Sequence, residues 1–185
     1  PPPGGPGAGG LGEEALTIQG SGPSRSAALS GGGEPLQATL EAASTSLEAS
    51  LQPATGAFGV DLQAGEDFAA FVSSFGVSVP TLPAFGLELE GELDGEGAMV
   101  DARITIDETS FHFDGRVDRL GADAAIQGTF AAAGPNPGPV LARLGLAEIE
   151  TPPYDLQGEL TRDGRVLTLD GITGTIGDSE GAGRL

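Results

Sequence analysis

The groups with the widest chemical range in this chain are its one histidine, His112, and the carboxylate-rich stretches "DGEGAMVD" (94–101) and "GDSEG" (177–181). A histidine works as a general base only with a nucleophile and an orienting partner in hydrogen-bond reach. His112 lies in "SFHFDGRV", where alternation sets it with Ser110, Asp114 and Arg116 on the wet side of a strand. That setting reads as a solvated histidine. The acidic stretches could offer oxygens to calcium, but neither has the regular aspartate spacing of an EF-hand loop or of a glycine-aspartate nonapeptide repeat. The absence of cysteine removes disulfides, thiolate metal sites and cysteine nucleophiles, and the absence of lysine removes a P-loop. There is no G-x-S-x-G elbow and no zinc-ligand spacing, and no strand precedes "GPGAGG" to make it a dinucleotide fingerprint. The reading is of a protein without catalytic residues, metal or cofactor.

The balance of 27 acids against eight bases, all of them arginine, gives a formal charge of -19. Such a field repels phosphate backbones, which argues against a nucleic-acid partner. The acids are spread along the chain and read as the solvated faces of its elements. No apolar run approaches the ~18 residues of a membrane-spanning helix. With 32 glycines, 14 prolines and 5% aromatics, the composition favours turns and short strands over helices.

Those strands can be placed by alternation. Residues 1–14 are a Pro/Gly-rich tail or linker with almost nothing to bury. Short alternating runs follow near 15–21, 25–30, 35–41, 45–52 and 56–64, then near 86–93, 98–107, 109–118 and 122–132, and last near 154–161, 165–170, 172–177 and 180–184. The period changes in "GEDFAAFVSSFG", where Phe68, Phe71, Val72 and Phe75 fall on one stripe of a helix near 66–76, with Asp67 at its start and Gly76 at its end. "NPGPVLARLG" predicts a second short helix near 138–145. The order of strand, short helix closed by glycine, proline linker and hairpin occurs twice, so the 15–185 region reads as two repeats, about 15–93 and 94–185. A period of roughly 65 to 70 residues suits an elongated, stackable β architecture. A chain that opens on "PPPGGPGAGG" and ends within a strand pattern reads as a piece of a larger protein.

In "FGLELEGEL" the residues Leu87, Leu89 and Leu93 oppose Glu88, Glu90 and Glu92, so one sheet face is apolar and the other wet, as antiparallel sheets allow. The expected fold is mainly β: a curled, antiparallel-rich sheet forming a repeat-built groove, with two short helices packed on it or capping it. Strand glycines such as Gly91, Gly115, Gly128 and Gly158 suit sharp bending of that sheet. About ten strands at roughly 4.8 Å spacing give an apolar trough near 50 Å long, a channel suited to phospholipid acyl chains. Its lining is expected from Leu87, Leu89, Ile104, Ile106, Phe111, Phe113, Tyr154 and Leu156. The opposing expectation, a structural adhesin-like β repeat without cargo, fills the same trough with its own side chains.

The stretch "PVLARLGLAEIETPPYDLQGELTRDGRVLTLDGITGTIGDSEGAGRL" resembles the repeat in the C-terminal portion of AsmA-like proteins, with "IGDS" its most characteristic part, and residues 68–130 resemble a looser copy. The first copy departs from the pattern, with "DETSFHF" where "IGDS" would stand. The resemblance implies a large envelope protein of a Gram-negative bacterium, anchored in the inner membrane by a segment outside this chain and extending into the periplasm. It further implies a role in phospholipid transport and outer-membrane biogenesis, envelope proteins as additional partners, and no catalytic residues.

Overall fold

A computed structural model describes residues 17–21, 34–42, 44–73, 83–119, 124–136, 138, 152–164 and 166–183. The strands are β1 (Thr17–Ser21), β2 (Leu36–Ala42), β3 (Thr45–Leu51), β4 (Ala57–Ala64), β5 (Phe85–Asp94), β6 (Gly97–Ile106), β7 (Thr109–Asp118), β8 (Ala125–Gly134), β9 (Tyr154–Asp163), β10 (Val166–Ile176) and β11 (Ser179–Gly183). They form one 11-stranded sheet in sequence order. Each strand pairs antiparallel with the next. Among the described residues β1 and β11 do not meet, so the sheet is mainly β, antiparallel and open.

Alternation located these strands to within a few residues, with one instructive difference. The runs expected separately at 165–170 and 172–177 are a single strand, β10, whose register slips between Asp170 and Thr173. Gly171 sits there with φ +59°, so two residues of β10 oppose one of β9, as in a bulge opened by a left-handed glycine. The extra residue reverses the alternation. Ile176 consequently pairs with Tyr154, on the same face as Leu167 and Leu169, instead of turning to the wet side.

The first expected helix is shorter than its stripe: α1 runs Phe68–Ser73. Its first turn is closed by the Phe68 N–H donating to the Gly65 carbonyl at 3.1 Å, where Asp67 is the cap the sequence suggests. Residues 74–82, with Phe75 and Gly76, lie outside the described residues, as do the Phe71 side chain, the run at 25–30, the 1–14 tail and, beyond Gly138, the second helix expected near 138–145. The connections through 65–84 and 135–153 follow β4 and β8, which run in the same direction and so leave from the same end of the sheet. Phe68 meets Phe85 edge to face, ring centroids 5.3 Å apart at 89°. Because Phe68 is half-buried, Phe68→Ala should cost about 2 kcal/mol, less than the ~3–5 of a fully buried phenylalanine. Urea denaturation of the variant reads this cost, and an unchanged midpoint would detach α1 from the sheet.

The largest side chains of the buried set lie within the sheet's own surface. Phe113 and Phe130 are 7% and 8% exposed and pair directly across β7 and β8. They are buried because their rings lie over glycine. A Cβ on Gly128 would stand 2.8 Å from Phe113 Cε2, and one on Gly158 would stand 3.0 Å from Phe130 Cε1. The strand glycines expected to permit bending thus leave room for rings to lie flat.

Candidate functional site

Cross-strand partners share a face, so the register fixes which side chains stand together. One rung passes from Leu40 through Leu47, Leu62, Leu87, Ile104, Phe111 and Ala132 to Leu156. Beside it runs a second, from Ala38 through Ala49, Val60, Leu89, Ala102, Phe113 and Phe130 to Gly158. Of the residues expected to line a trough, Leu87, Ile104, Phe111 and Leu156 therefore share the first rung and Leu89 and Phe113 the second. Ile106 stands opposite Phe85, and Tyr154 opposite Gly134 and Ile176, near the α1 end. Every one of them lies on the apolar face.

They are not equally accessible. Leu87, Leu89, Ile104, Ile106, Phe111, Tyr154 and Leu156 are half-buried, whereas Phe113 is covered by its neighbours. Phe111 stacks on Phe130 with centroids 6.3 Å apart and rings 14° from parallel. Towards the margins Leu93, Leu167 and Ile176 are 40%, 57% and 44% exposed. All described strands belong to the same sheet, so no second sheet covers this face among the described residues. Leu40, Leu47 and Leu62 extend the apolar rung beyond the residues singled out above. Their signal was already present in the alternation of "LQATLEA", "TSLEASL" and "FGVDLQA".

The opposite face carries the charge. His112 Nε2 lies 3.1 Å from Asp101 Oδ2, which also accepts from Arg103 at 3.2 Å. Arg116 donates to Asp94 at 2.9 Å and to Asp118 at 2.6 Å, and these bonds hold its guanidinium above its ordinary pKa. His112 is thus tied to a carboxylate more closely than a solvated histidine would be. No catalytic partner of the nucleophile type joins it among its described hydrogen bonds. A shallow concavity of about 570 Å³ on this face is lined by Glu48, Asp61, Glu88, Glu90, Asp101 and Arg103 among others. No group of three or more potential metal-ligating side chains gathers among the described residues, the "DGEGAMVD" carboxylates included.

The arrangement offers two chemistries back to back: a wide, mostly apolar surface with few directional groups, and a hydrated, acidic surface. Among the described residues no helix is long and apolar enough to cross a membrane. No family model, curated protein or solved structure matches the chain.

Proposed function

We propose that the apolar face is a docking surface for phospholipid acyl chains, and that the chain is a non-catalytic, AsmA-type module of a periplasmic protein that moves phospholipid in outer-membrane biogenesis. The observation that carries the reading is the unbroken apolar rung from Leu40 to Leu156, half-buried along much of its length. Soluble monomers rarely leave contiguous apolar patches beyond a few hundred Å² without a partner for them. The rung crosses eight strands, β2 to β9, so at roughly 4.8 Å spacing it runs for about 34 Å. An acyl chain spans roughly 15 Å, half of a ~30 Å hydrocarbon core, so the rung can hold about two chains in succession. Such a ligand gains by leaving water and makes no directional bond, so a surface of Leu, Ile, Val and Phe suffices.

Photocrosslinking distinguishes the two faces. A photoreactive amino acid replacing Leu87, Ile104 or Leu156 should give phospholipid adducts in the full-length protein in cells. The same residue at Glu88, Arg103 or Gln157, one position along on the wet face, should give none. Equal labelling of both faces would remove the docking surface. Absence of lipid from both, with folding intact, would favour a structural adhesin-like β repeat whose apolar face is covered by protein.

A further inference from the structure

The apolar face carries a single charged side chain among the described strand residues, and it is Arg162. The register places it there, opposite Ile126 of β8 on one side and Leu167 of β10 on the other, two positions beyond Leu160 on β9. The other described arginines each have an aspartate partner: Arg103 with Asp101, Arg116 with Asp94 and Asp118, and Arg119 with Asp163 at 4.0 Å. Arg162 has no ion pair among the described residues. Its Nε donates to the Gly164 carbonyl at 3.0 Å, which holds the stem at the β9–β10 turn and leaves its terminal nitrogens to other acceptors. In a chain of net charge -19, an arginine half-buried among leucine and isoleucine and left without a carboxylate is an unusual placement.

We propose that Arg162 receives the phosphate of a phospholipid headgroup, fixing it at the β9–β10 turn end of the sheet while its acyl chains extend over Leu160, Ile126 and Leu156. This rests on the acyl-chain reading of the face. The chemistry is complementary at both ends of the ligand. A guanidinium presents its donors in a fork that matches two phosphate oxygens, and the aliphatic stem of arginine continues the apolar surface up to the headgroup. The bond is charge-assisted and stands at the border of a water-poor surface, where such bonds are strongest. The headgroup is zwitterionic, because a chain of net charge -19 repels a ligand that carries a net negative charge.

Calorimetric titration of the full chain with dioctanoyl phosphatidylcholine, dioctanoylglycerol and free phosphocholine tests this. Phosphatidylcholine should bind about tenfold more tightly than dioctanoylglycerol, the gain of one charge-assisted contact at a partly exposed site. Arg162→Gln should erase that tenfold difference while leaving dioctanoylglycerol affinity unchanged, and Arg162→Lys should retain part of it. Equal binding of the two lipids by the unmodified chain would overturn the headgroup assignment and leave the acyl-chain surface standing. Loss of both lipids in Arg162→Gln would assign the arginine a merely structural role. Phosphocholine binding as tight as the lipid would make this a site for the free headgroup and overturn the proposal. Failure of both lipids to bind the unmodified chain would overturn both readings together, and binding of dioctanoylglycerol without phosphatidylcholine would overturn the headgroup assignment alone.

Discussion

Phe113→Asp is expected to leave little folded protein, at a cost of roughly 5 kcal/mol or more, whereas His112→Asp at the adjacent position is expected to change stability by no more than about 1 kcal/mol. The Phe113 ring is 7% exposed and fills space over a pair of glycines, so its removal alone costs about 3–5 kcal/mol, as for other buried phenylalanines. The carboxylate that replaces it would then stand between Ala102 and Phe130, with no cation paired to it across the strands. An unpaired buried charge adds several kcal/mol or forces the group to protonate. Against a total stability of ~5–15 kcal/mol for a domain, the sum is close to the whole. His112 stands on the wet face, 41% exposed in its side chain, and its loss removes one contact to Asp101. Equilibrium denaturation of both variants checks the contrast. A Phe113→Asp protein as stable as His112→Asp would mean that the ring is not covered in solution and that the two faces are not distinct.

That contrast also decides where function should be probed. Phe113 belongs to the lining inferred from alternation, yet its burial makes it a support for the face more than a contact surface for a ligand. A charge there would abolish lipid binding by unfolding the sheet, which says nothing about the ligand. Leu87, Ile104 and Leu156 are half-buried positions in the neighbouring rung, and changes there separate binding from folding.

Strand positions and faces were legible because a period-two pattern leaves little freedom: a slip by one residue would turn every leucine of "FGLELEGEL" towards water. The two faces of β5 through β9 follow directly from it. The β10 bulge was visible only as an interruption at Gly171, because a break between two short strands and a bulge within one long strand share the same glycine signal. The stacking of rings over glycine was not legible at all. It depends on which residues face one another across strands, and a sequence without pairing register does not state that. Arg162 lay within reach, since it has the same parity as Leu156 and Leu160, but an arginine beside a turn reads as solvent-facing until the opposing residues prove to be Ile126 and Leu167. The direction in which the sheet curves has no counterpart in alternation, which distinguishes faces without saying which is concave.

Gly128→Ala should destabilise the protein by about 2–3 kcal/mol, the reverse of what a glycine-to-alanine change in a strand ordinarily does. Glycine inside a strand normally costs roughly 0.5–1 kcal/mol relative to alanine, through the conformational freedom it loses on folding. Here the new methyl would meet three obstacles at once: the Asp114 carbonyl, the Gly115 Cα at 2.7 Å and the Phe113 ring at 2.8 Å. Two of these are backbone of the paired strand and cannot move without opening the β7–β8 ladder, where Gly115 and Gly128 face one another. The third is a ring that could lift, at the expense of the burial that makes Phe113 part of the core. The portions separate in a double-mutant cycle with Phe113→Ala. If the ring contributes to the clash, Gly128→Ala should cost at least about 1 kcal/mol less in the Phe113→Ala background, because contacting residues couple by roughly 0.5–3 kcal/mol. Strict additivity would assign the whole cost to the backbone, and a stabilising Gly128→Ala would show that the ring does not lie on the glycine pair. Lifting the ring would also raise an aromatic edge above the surface beside Phe111, so a Gly128→Ala protein that remains folded should bind acyl chains less tightly even though no polar group has been introduced.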